Sequence, residues 1–222
     1  MSAPLHRHTP ALTGNGFTHA VTCGSPYRYL AAVPDDGAGP WPLLLFLHGS
    51  EERGRELDRV LRHGPPRLLA EGRRFPFVVV APQCPCGRSW SAAKLEMLLD
   101  QVEATWPIDT RRIWATGLSM GGYGAWALAL RCPGRLAALA PICGGGDVRQ
   151  AHVLRALSIW AFHGALDDSV PPRESRKMVE AVNRAGGKAR LTVYPAMGHD
   201  CWTHTYARPG LWKWLTAQRA RA

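Results

Sequence analysis

The clearest candidate for covalent chemistry in the sequence is a serine flanked by glycines two positions away on either side. Residues 117–121 read Gly-Leu-Ser-Met-Gly, which matches the pattern G-x-S-x-G. The motif follows an apolar run and precedes a helical pattern, and Gly117 and Gly121 are the small residues that so sharp a turn needs. A hydroxyl at a helix N-terminus, where the dipole favours negative charge, is suited to nucleophilic attack. We predict Ser119 as a nucleophile; the alternative is a capping serine in a tight turn.

A serine at neutral pH needs a base within hydrogen-bond reach, and the sequence offers several histidines after Ser119. Where this motif forms a nucleophilic turn, an acid and then a histidine follow the serine along the chain. His199 lies in a loop just after a predicted strand, whereas His163 precedes the candidate acid and His204 falls at or near a final helix. We therefore predict His199 as the general base.

The acid that orients this histidine should also follow a strand, and residues 167 and 168 are both aspartates. Adjacent side chains diverge, so only one of the two can face the histidine. We predict that Asp167 has this role and that Asp168 is a solvated loop or capping residue. Asp200 is too close in sequence to His199 to orient it, and we expect it to make local loop bonds.

Two backbone N–H groups should stabilise the oxyanion that attack on a carbonyl creates, each typically worth about 3–4 kcal/mol. Met120, the residue after the serine, is predicted to supply one of them. The second should come from the loop after Leu47, where Ser50 is the best candidate and Glu51 follows it.

These residues need a scaffold that brings distant parts of the chain to one edge. Short apolar runs alternate with helical patterns, and such runs are typical of strands buried on both faces of a parallel sheet. The predicted strands cover residues 43–47, 77–81, 113–116, 136–142, 159–162 and 191–194, and the predicted helices cover residues 94–106, 121–131, 172–185 and 211–219. The pattern predicts an α/β protein with a doubly wound, mostly parallel sheet, preceded by a hairpin within residues 17–33. Ligands bind beyond the carboxyl ends of such strands, so His48, Ser119, Asp167 and His199 should converge there.

The length of 222 residues favours one α/β domain, which we place at residues 17–222 after a flexible N-terminal tail at residues 1–16. Between Ser119 and Asp167 lie one predicted strand, a glycine-rich turn, a short helix at about residues 148–157 and another strand. This spacing leaves no room for a large lid domain.

The chain is basic, with a net charge of +10 and a pI of about 9.8. Its arginines are scattered and no nucleic-acid-binding motif occurs, so we expect no nucleic-acid partner, and a basic binding protein is the weaker alternative. No apolar run approaches the length of a membrane span, and residues 1–16 lack the apolar segment of a secretory signal. We therefore expect no membrane span and a cytoplasmic location. The sequence favours no particular oligomeric state.

The six cysteines show no regular framework, so a disulfide scaffold is not expected. His199, Cys201 and His204 could suggest a metal site, but His199 is better used as a base. We predict neither a metal nor a cofactor.

Taken together, these stretches resemble the phospholipase/carboxylesterase and dienelactone-hydrolase-like branch of the α/β-hydrolases, which includes "predicted peptidases" and polyhydroxybutyrate-depolymerase-like esterases. The resemblance spans about residues 27–215 and rests on residues 43–54, 81–83 with Trp90, 112–122, 141–145, 162–164 with Asp167 and 170–171, and 198–200 with Trp202. It implies the α/β-hydrolase fold and a Ser119–Asp167–His199 triad with no metal and no cofactor.

One position departs from the pattern of that family, where a glycine usually stands two places after the first glycine of the His-Gly loop. Here that place is Glu51. A carboxylate beside the oxyanion hole would repel developing charge unless it points outward. Alternatively, Glu51 and Glu52 bind a cationic substrate group or pair with Arg53.

The sequence thus predicts a carboxylesterase-type serine hydrolase that forms an acyl-enzyme intermediate with a small-molecule ester substrate. Trp90 and Trp202 could wall its substrate pocket, and core packing is an equal alternative for each. A serine peptidase or amidase using the same triad is the alternative within enzymes. A non-catalytic binding protein would require a damaged triad.

Overall fold

An eight-stranded sheet forms the centre of the protein. The structure is a computed structural model that describes residues 17–21, 23–35 and 37–220, so the predicted tail at residues 1–16 lies outside the described residues. The strands are β1 (His19–Val21), β2 (Arg28–Ala32), β3 (Trp41–Leu47), β4 (Val78–Gln83), β5 (Ile108–Leu118), β6 (Ala138–Ile142), β7 (Ser158–Gly164) and β8 (Arg190–Tyr194). Their order across the sheet is β1-β2-β4-β3-β5-β6-β7-β8. The pairs β1–β2 and β2–β4 are antiparallel, and every pair from β4–β3 to β7–β8 is parallel.

Helices cover both faces of this sheet. They are α1 (Gly64–Ala70), α2 (Ala92–Thr105), α3 (Met120–Arg131), α4 (Arg173–Arg184), α5 (Trp202–Ala207) and α6 (Pro209–Thr216), with 3₁₀ helices at Leu57–Arg62 and Val148–Leu154. Along β3, Leu43 and Leu45 belong to a core cluster shared with α2, α3 and α4, whereas Leu44 and Phe46 belong to a second cluster shared with α1, α5 and α6. Successive strand side chains point to opposite faces, so each face has its own core. The predicted doubly wound α/β fold is confirmed.

Several elements differ from the sequence prediction in extent or were not predicted. β5 begins at Ile108, well before the predicted residue 113. The prediction missed its first half because the side chains there are polar and do not form an apolar run. α1 begins with Gly64-Pro65-Pro66, where proline is tolerated because N–H groups of the first turn lack helical partners. α5 and α6 are separate helices divided at Arg208, before Pro209. The short helix expected at residues 148–157 is a 3₁₀ helix over Val148–Leu154.

The turn between β5 and α3 requires glycines because three backbone segments meet there. A Cβ atom on Gly121 would lie 1.9 Å from the Leu47 carbonyl oxygen, and one on Gly117 would lie 2.4 Å from the Gly121 carbonyl oxygen. On the other side, a Cβ atom on Gly122 would lie 2.5 Å from the Ile142 carbonyl oxygen. These neighbours are backbone atoms, which cannot rotate away as a side chain can. The glycines therefore let α3 begin directly against β3 and β6.

Across the part of the chain that the structure describes, no helix combines the length and the apolar character that crossing a membrane requires.

We expect the Gly121→Ala substitution to destabilise the fold, because the new methyl group would overlap the Leu47 carbonyl oxygen. Overpacking of this kind costs about 3 kcal/mol or more, which lowers the melting temperature by about 6–12 °C in a domain of this size. Thermal unfolding followed by circular dichroism measures the effect. Gly134→Ala is the matched control, since a Cβ atom there meets nothing within 4 Å. Equal melting temperatures for the two variants would contradict the close approach.

Candidate active site

Ser119 occupies the turn between β5 and α3 in a backbone conformation that few non-glycine residues adopt. Its φ is 53° and its ψ is −120°, and its backbone N–H donates to the Ile142 carbonyl oxygen at 3.0 Å. Strained backbone of this kind persists only where the surrounding structure enforces it. The turn places Ser119 Oγ 2.9 Å from His199 Nε2.

His199 lies in the loop after β8, and its two ring nitrogens face different partners. Nδ1 lies 2.8 Å from Asp167 Oδ2, while Nε2 faces the Ser119 hydroxyl. Because a carboxylate accepts hydrogen bonds, this arrangement favours a proton on Nδ1 and leaves Nε2 free to accept from the serine. The Trp202 ring meets the His199 ring edge-on, with centroids 5.0 Å apart. The imidazole is thereby held between an acid and a hydroxyl.

Asp167, in the loop after β7, is held by several hydrogen bonds at once. Its Oδ1 accepts from the backbone N–H groups of Ser169 at 3.0 Å and Val170 at 2.9 Å, and its Oδ2 faces His199. Burial raises the pKa of Asp167, but the hydrogen bonds and the nearby imidazole outweigh this and leave the pKa below its usual value. Asp168 is exposed and accepts a hydrogen bond from the Ser169 hydroxyl. Of the two neighbouring aspartates, Asp167 is the one that faces His199.

A fully buried histidine, His163, contacts Asp167, and the sequence analysis gave it no role. His163 Nε2 is 3.1 Å from Asp167 Oδ2 and 2.9 Å from the Val170 carbonyl oxygen, so it faces two acceptors. Its Nδ1 is 2.7 Å from the Ser175 hydroxyl, which in turn lies 2.9 Å from the Gly144 carbonyl oxygen. The signal in the sequence was a histidine at the end of an otherwise apolar strand. These hydrogen bonds hold the Asp167 loop against the interior of the protein.

Two thiols lie beneath the His199 loop. Cys143 and Cys201 are free and fully buried, and their sulfur atoms are 3.4 Å apart. Contact with Cys201 and burial raise the pKa of the Cys143 thiol. The Cys143 sulfur donates to the His199 carbonyl oxygen at 3.3 Å. The Cys143 thiol and the Asp167 carboxylate raise the pKa of His199 to about 9, although burial of the ring lowers it.

A metal ion has a possible set of ligands within the described ranges. Atoms of Cys143, Asp167 and His199 lie within 4.8 Å of one another. Metal binding requires a thiolate, whereas burial keeps the Cys143 thiol protonated, and both nitrogens of His199 already have hydrogen-bond partners. His204, from the alternative considered above, packs against the Tyr194 ring with centroids 5.1 Å apart. The chemistry of these side chains fits a proton relay better than a metal centre.

The loop after β3 is anchored through its carbonyl groups. His48 Nδ1 is 2.6 Å from the Gly49 carbonyl oxygen, and the Trp90 indole N–H donates to the His48 carbonyl oxygen at 3.1 Å. Farther along, Gln83 donates to the carbonyl oxygen of Glu52 at 3.0 Å. Burial holds the pKa of His48 down at about 4, so its ring is neutral. Trp90 therefore supports this loop from the core, and it is not among the residues that line the cleft described next.

A cleft of about 360 Å³ opens beside Ser119. Its lining residues come from the loop after β3, the start of α1, the turn after β5, the Asp167 loop and the segment from the His199 loop to α5: Gly49, Ser50, Glu51, Glu52, His63, Leu118, Ser119, Ser169, Val170, His199 and Trp202. Ser50 and Glu51 are exposed within it, and Trp202 forms part of its wall. Met120 is the first residue of α3, so its backbone N–H lies at the positive end of the helix.

The sequence analysis did not predict that Glu52 and His63 lie next to each other in the wall of the cleft. Glu52 is only 2% exposed, and its Oε1 lies 3.7 Å from His63 Nε2. Burial raises the pKa of Glu52, and the charge of His63 and backbone hydrogen bonds offset this only in part. Arg53, the partner considered for these acids, instead donates through Nε to the Ser50 carbonyl oxygen at 2.8 Å. Glu51 and Glu52 are adjacent in a polar segment, and the sequence pattern does not indicate that Glu52 is buried while Glu51 is exposed.

Comparisons with known proteins identify a family and similar structures. The profile of the family described as "Putative esterase" matches residues 68–219. A crystal structure described as a thermostable esterase superposes with a TM-score of 0.83 and is 32% identical, over 94% of this chain and 64% of that chain.

Two curated relatives point the same way. The bifunctional acetylxylan esterase/xylanase XynS20E of Neocallimastix patriciarum is 30% identical over 61% of this chain and 21% of its own length. A "Putative carboxymethylenebutenolidase" of Escherichia coli O157:H7 is 27% identical over 83% of this chain and 76% of its own. This chain thus spans about a fifth of the first relative and about two thirds of the thermostable esterase structure. With more than half of its residues matched by the family profile, the chain belongs to the esterase family of α/β-hydrolases.

Proposed function

We propose that the chain is a serine carboxylesterase that hydrolyses its substrate through an acyl-enzyme on Ser119. The observation that supports this is a continuous chain of hydrogen bonds: Ser119 Oγ lies 2.9 Å from His199 Nε2, and His199 Nδ1 lies 2.8 Å from Asp167 Oδ2. Nucleophile, base and orienting acid stand in the order and at the distances that acyl transfer requires. Membership of the esterase family supports ester rather than other acyl substrates.

In the acylation step, Ser119 Oγ attacks the carbonyl carbon of the ester and His199 Nε2 takes the hydroxyl proton. Asp167 stabilises the imidazolium that forms, because its carboxylate faces Nδ1 and keeps its negative charge. The tetrahedral intermediate collapses when the C–O bond to the alcohol breaks. His199 returns its proton to that leaving oxygen, and the acyl group stays on Ser119.

The oxyanion of the intermediate accepts hydrogen bonds from the backbone N–H groups of Met120 and Ser50 in this proposal. Met120 N–H lies at the start of α3, and the anchored carbonyl groups of the loop after β3 hold the Ser50 peptide beside the cleft. In the deacylation step His199 takes a proton from water, and the hydroxide attacks the acyl-serine. The bond between the acyl carbon and Ser119 Oγ then breaks, His199 gives its proton to that oxygen, and the acid product leaves.

The shape of the cleft bears on the kind of ester that can enter. Between Ser119 and Asp167 the chain forms α3, β6, the 3₁₀ helix Val148–Leu154 and β7, and no lid domain is inserted there. The cleft, with Ser50 and Glu51 exposed at its wall, can admit a small ester or an exposed ester on a larger molecule. Small-molecule esters are therefore the proposed substrates.

Substitution of Ser119 by alanine should abolish labelling by a fluorophosphonate probe and lower ester turnover by roughly 10⁴-fold or more, because the acyl-enzyme can no longer form. Ser158→Ala is the matched control, since Ser158 begins β7 at the end of that strand away from Asp167. It should be labelled like the wild type. A labelled Ser119→Ala protein would refute the assignment of the nucleophile.

The two neighbouring aspartates provide a paired test of the orienting acid. Asp167→Asn should lower kcat by about 10³–10⁴-fold, because an amide can neither fix the tautomer of His199 nor stabilise its positive charge. Asp168→Asn should stay within about threefold of wild type, since Asp168 is exposed and its carboxylate accepts from the Ser169 hydroxyl rather than facing His199. Steady-state hydrolysis of p-nitrophenyl acetate distinguishes them. Equal losses in the two variants would show that Asp167 has no special role.

The pH profile reports the protonation of His199. Its base form is required for acylation, and its pKa is raised to about 9, so kcat/KM should rise with pH and reach half its maximum near pH 9. Initial rates in constant-ionic-strength buffers measure the profile. A wild-type limb at or below the ordinary imidazole value of about 6.5 would contradict the prediction.

A further inference from the structure

The carboxylate of Glu52 lies in the wall of the cleft, yet the proposed acyl transfer makes no use of it. A buried carboxylate is costly unless it has hydrogen-bonding or charged partners. Among the described residues, the charged-group contacts of Glu52 are His63 Nε2 at 3.7 Å and His48 Nδ1 at 3.9 Å. Both distances exceed a hydrogen bond, and the backbone hydrogen bonds that the carboxylate accepts at Gly49 and at Glu52 itself leave lone pairs free to accept another.

Neither imidazole neutralises Glu52 fully. The His48 Nδ1 atom already faces the Gly49 carbonyl oxygen at 2.6 Å, its Nε2 accepts from the Cys84 backbone N–H at 3.0 Å, and its ring is neutral. His63 is about a quarter exposed, at 26%, so water weakens its attraction for the acid. The two rings and the backbone hydrogen bonds therefore offset the burial of this acid only in part, and it lines the cleft.

The same wall holds two further polar atoms without partners. His63 Nδ1 and Trp202 Nε1 are buried and have no hydrogen-bond partner within the described structure. The His63 and Trp202 rings meet edge-on with centroids 5.6 Å apart, and Trp202 meets His199 in the same way. A continuous wall therefore runs from His199 through Trp202 to His63 and Glu52.

The direction of this wall indicates which part of an ester it would meet. In the proposed mechanism His199 returns its proton to the leaving oxygen, so the alcohol part of the substrate lies on the imidazole side of Ser119. Trp202 and His63 continue from that side. A substituent on the alcohol would therefore reach Glu52 more readily than one on the acyl group.

We propose that Glu52 and His63 form a subsite for the alcohol part of the ester, in which the Glu52 carboxylate accepts a hydrogen bond from a substrate hydroxyl group. The inference rests on the proposed esterase function and specifies its substrate class as esters of polyhydroxylated alcohols. Hydroxyl fits better than ammonium for two reasons. A hydroxyl needs only a free lone pair on the carboxylate, and the chain carries a net charge of +10 that repels cations.

The test compares two esters that differ only in the hydroxyl groups of the alcohol, 1-monobutyrin and propyl butyrate, in a pH-stat assay. Wild-type enzyme should favour monobutyrin by about tenfold in kcat/KM. Glu52→Gln should lower kcat/KM for monobutyrin by about tenfold and change that for propyl butyrate by less than about threefold, because hydrogen bonds to a charged acceptor are stronger than those to a neutral one. Glu56→Gln is the matched control, since its side chain is 67% exposed and pairs with Arg59.

His63→Phe provides a second variant that keeps the aromatic contact with Trp202 and removes both ring nitrogens. His63→Phe should also reduce the preference for monobutyrin over propyl butyrate. If Glu52→Gln does not fold, this variant alone tests whether the subsite exists. Equal losses on both esters would instead show that Glu52 only positions the loop after β3, and would overturn the subsite. Wild-type enzyme without preference between the esters would overturn it as well. If the wild-type protein is not labelled by the fluorophosphonate probe and hydrolyses neither ester, the esterase function itself is refuted. This outcome is distinct from failure of the subsite.

Discussion

The close approach of three backbone segments at the turn after β5 is the constraint on which the site depends. Gly117, Gly121 and Gly122 have no side chain to keep β3, β6 and the start of α3 apart. As a result, Ser119 stands at the carboxyl edge of the sheet, the helix dipole points at its hydroxyl, and the loop after β3 lies beside it. The His199 and Asp167 loops then need only reach this fixed point from β8 and β7.

Buried polar side chains away from the proposed reaction hold the loops of the site in place. His163 and Ser175 support the Asp167 loop, while His48 and Gln83 bind the carbonyl groups of the loop after β3. Such groups are stable in the interior because each has hydrogen-bond partners. Glu52 differs from them, since its charged partners lie beyond hydrogen-bond distance, and this difference is the basis of the proposed subsite.

The sequence predicted the sheet well because strands buried on both faces are apolar throughout, as in β3 and β4. The residues proposed as nucleophile, base and acid followed from chain order and strand ends, and their roles stay predictions, as does the single domain at residues 17–222. The polar first half of β5 and the helix α1 were missed because their local patterns resemble loops. Glu52 and His163 could not be assigned from sequence, since their burial depends on which distant segments pack around them.

The positive φ at Ser119 also restricts which side chains could occupy that position. Branching at Cβ makes the left-handed backbone region especially unfavourable, so threonine would add strain to a turn already fixed by its neighbours. Of serine, threonine and cysteine, only serine and cysteine have an unbranched Cβ and fit this geometry without that penalty. The backbone of the turn therefore disfavours the one hydroxyl side chain that differs from serine by a single methyl group.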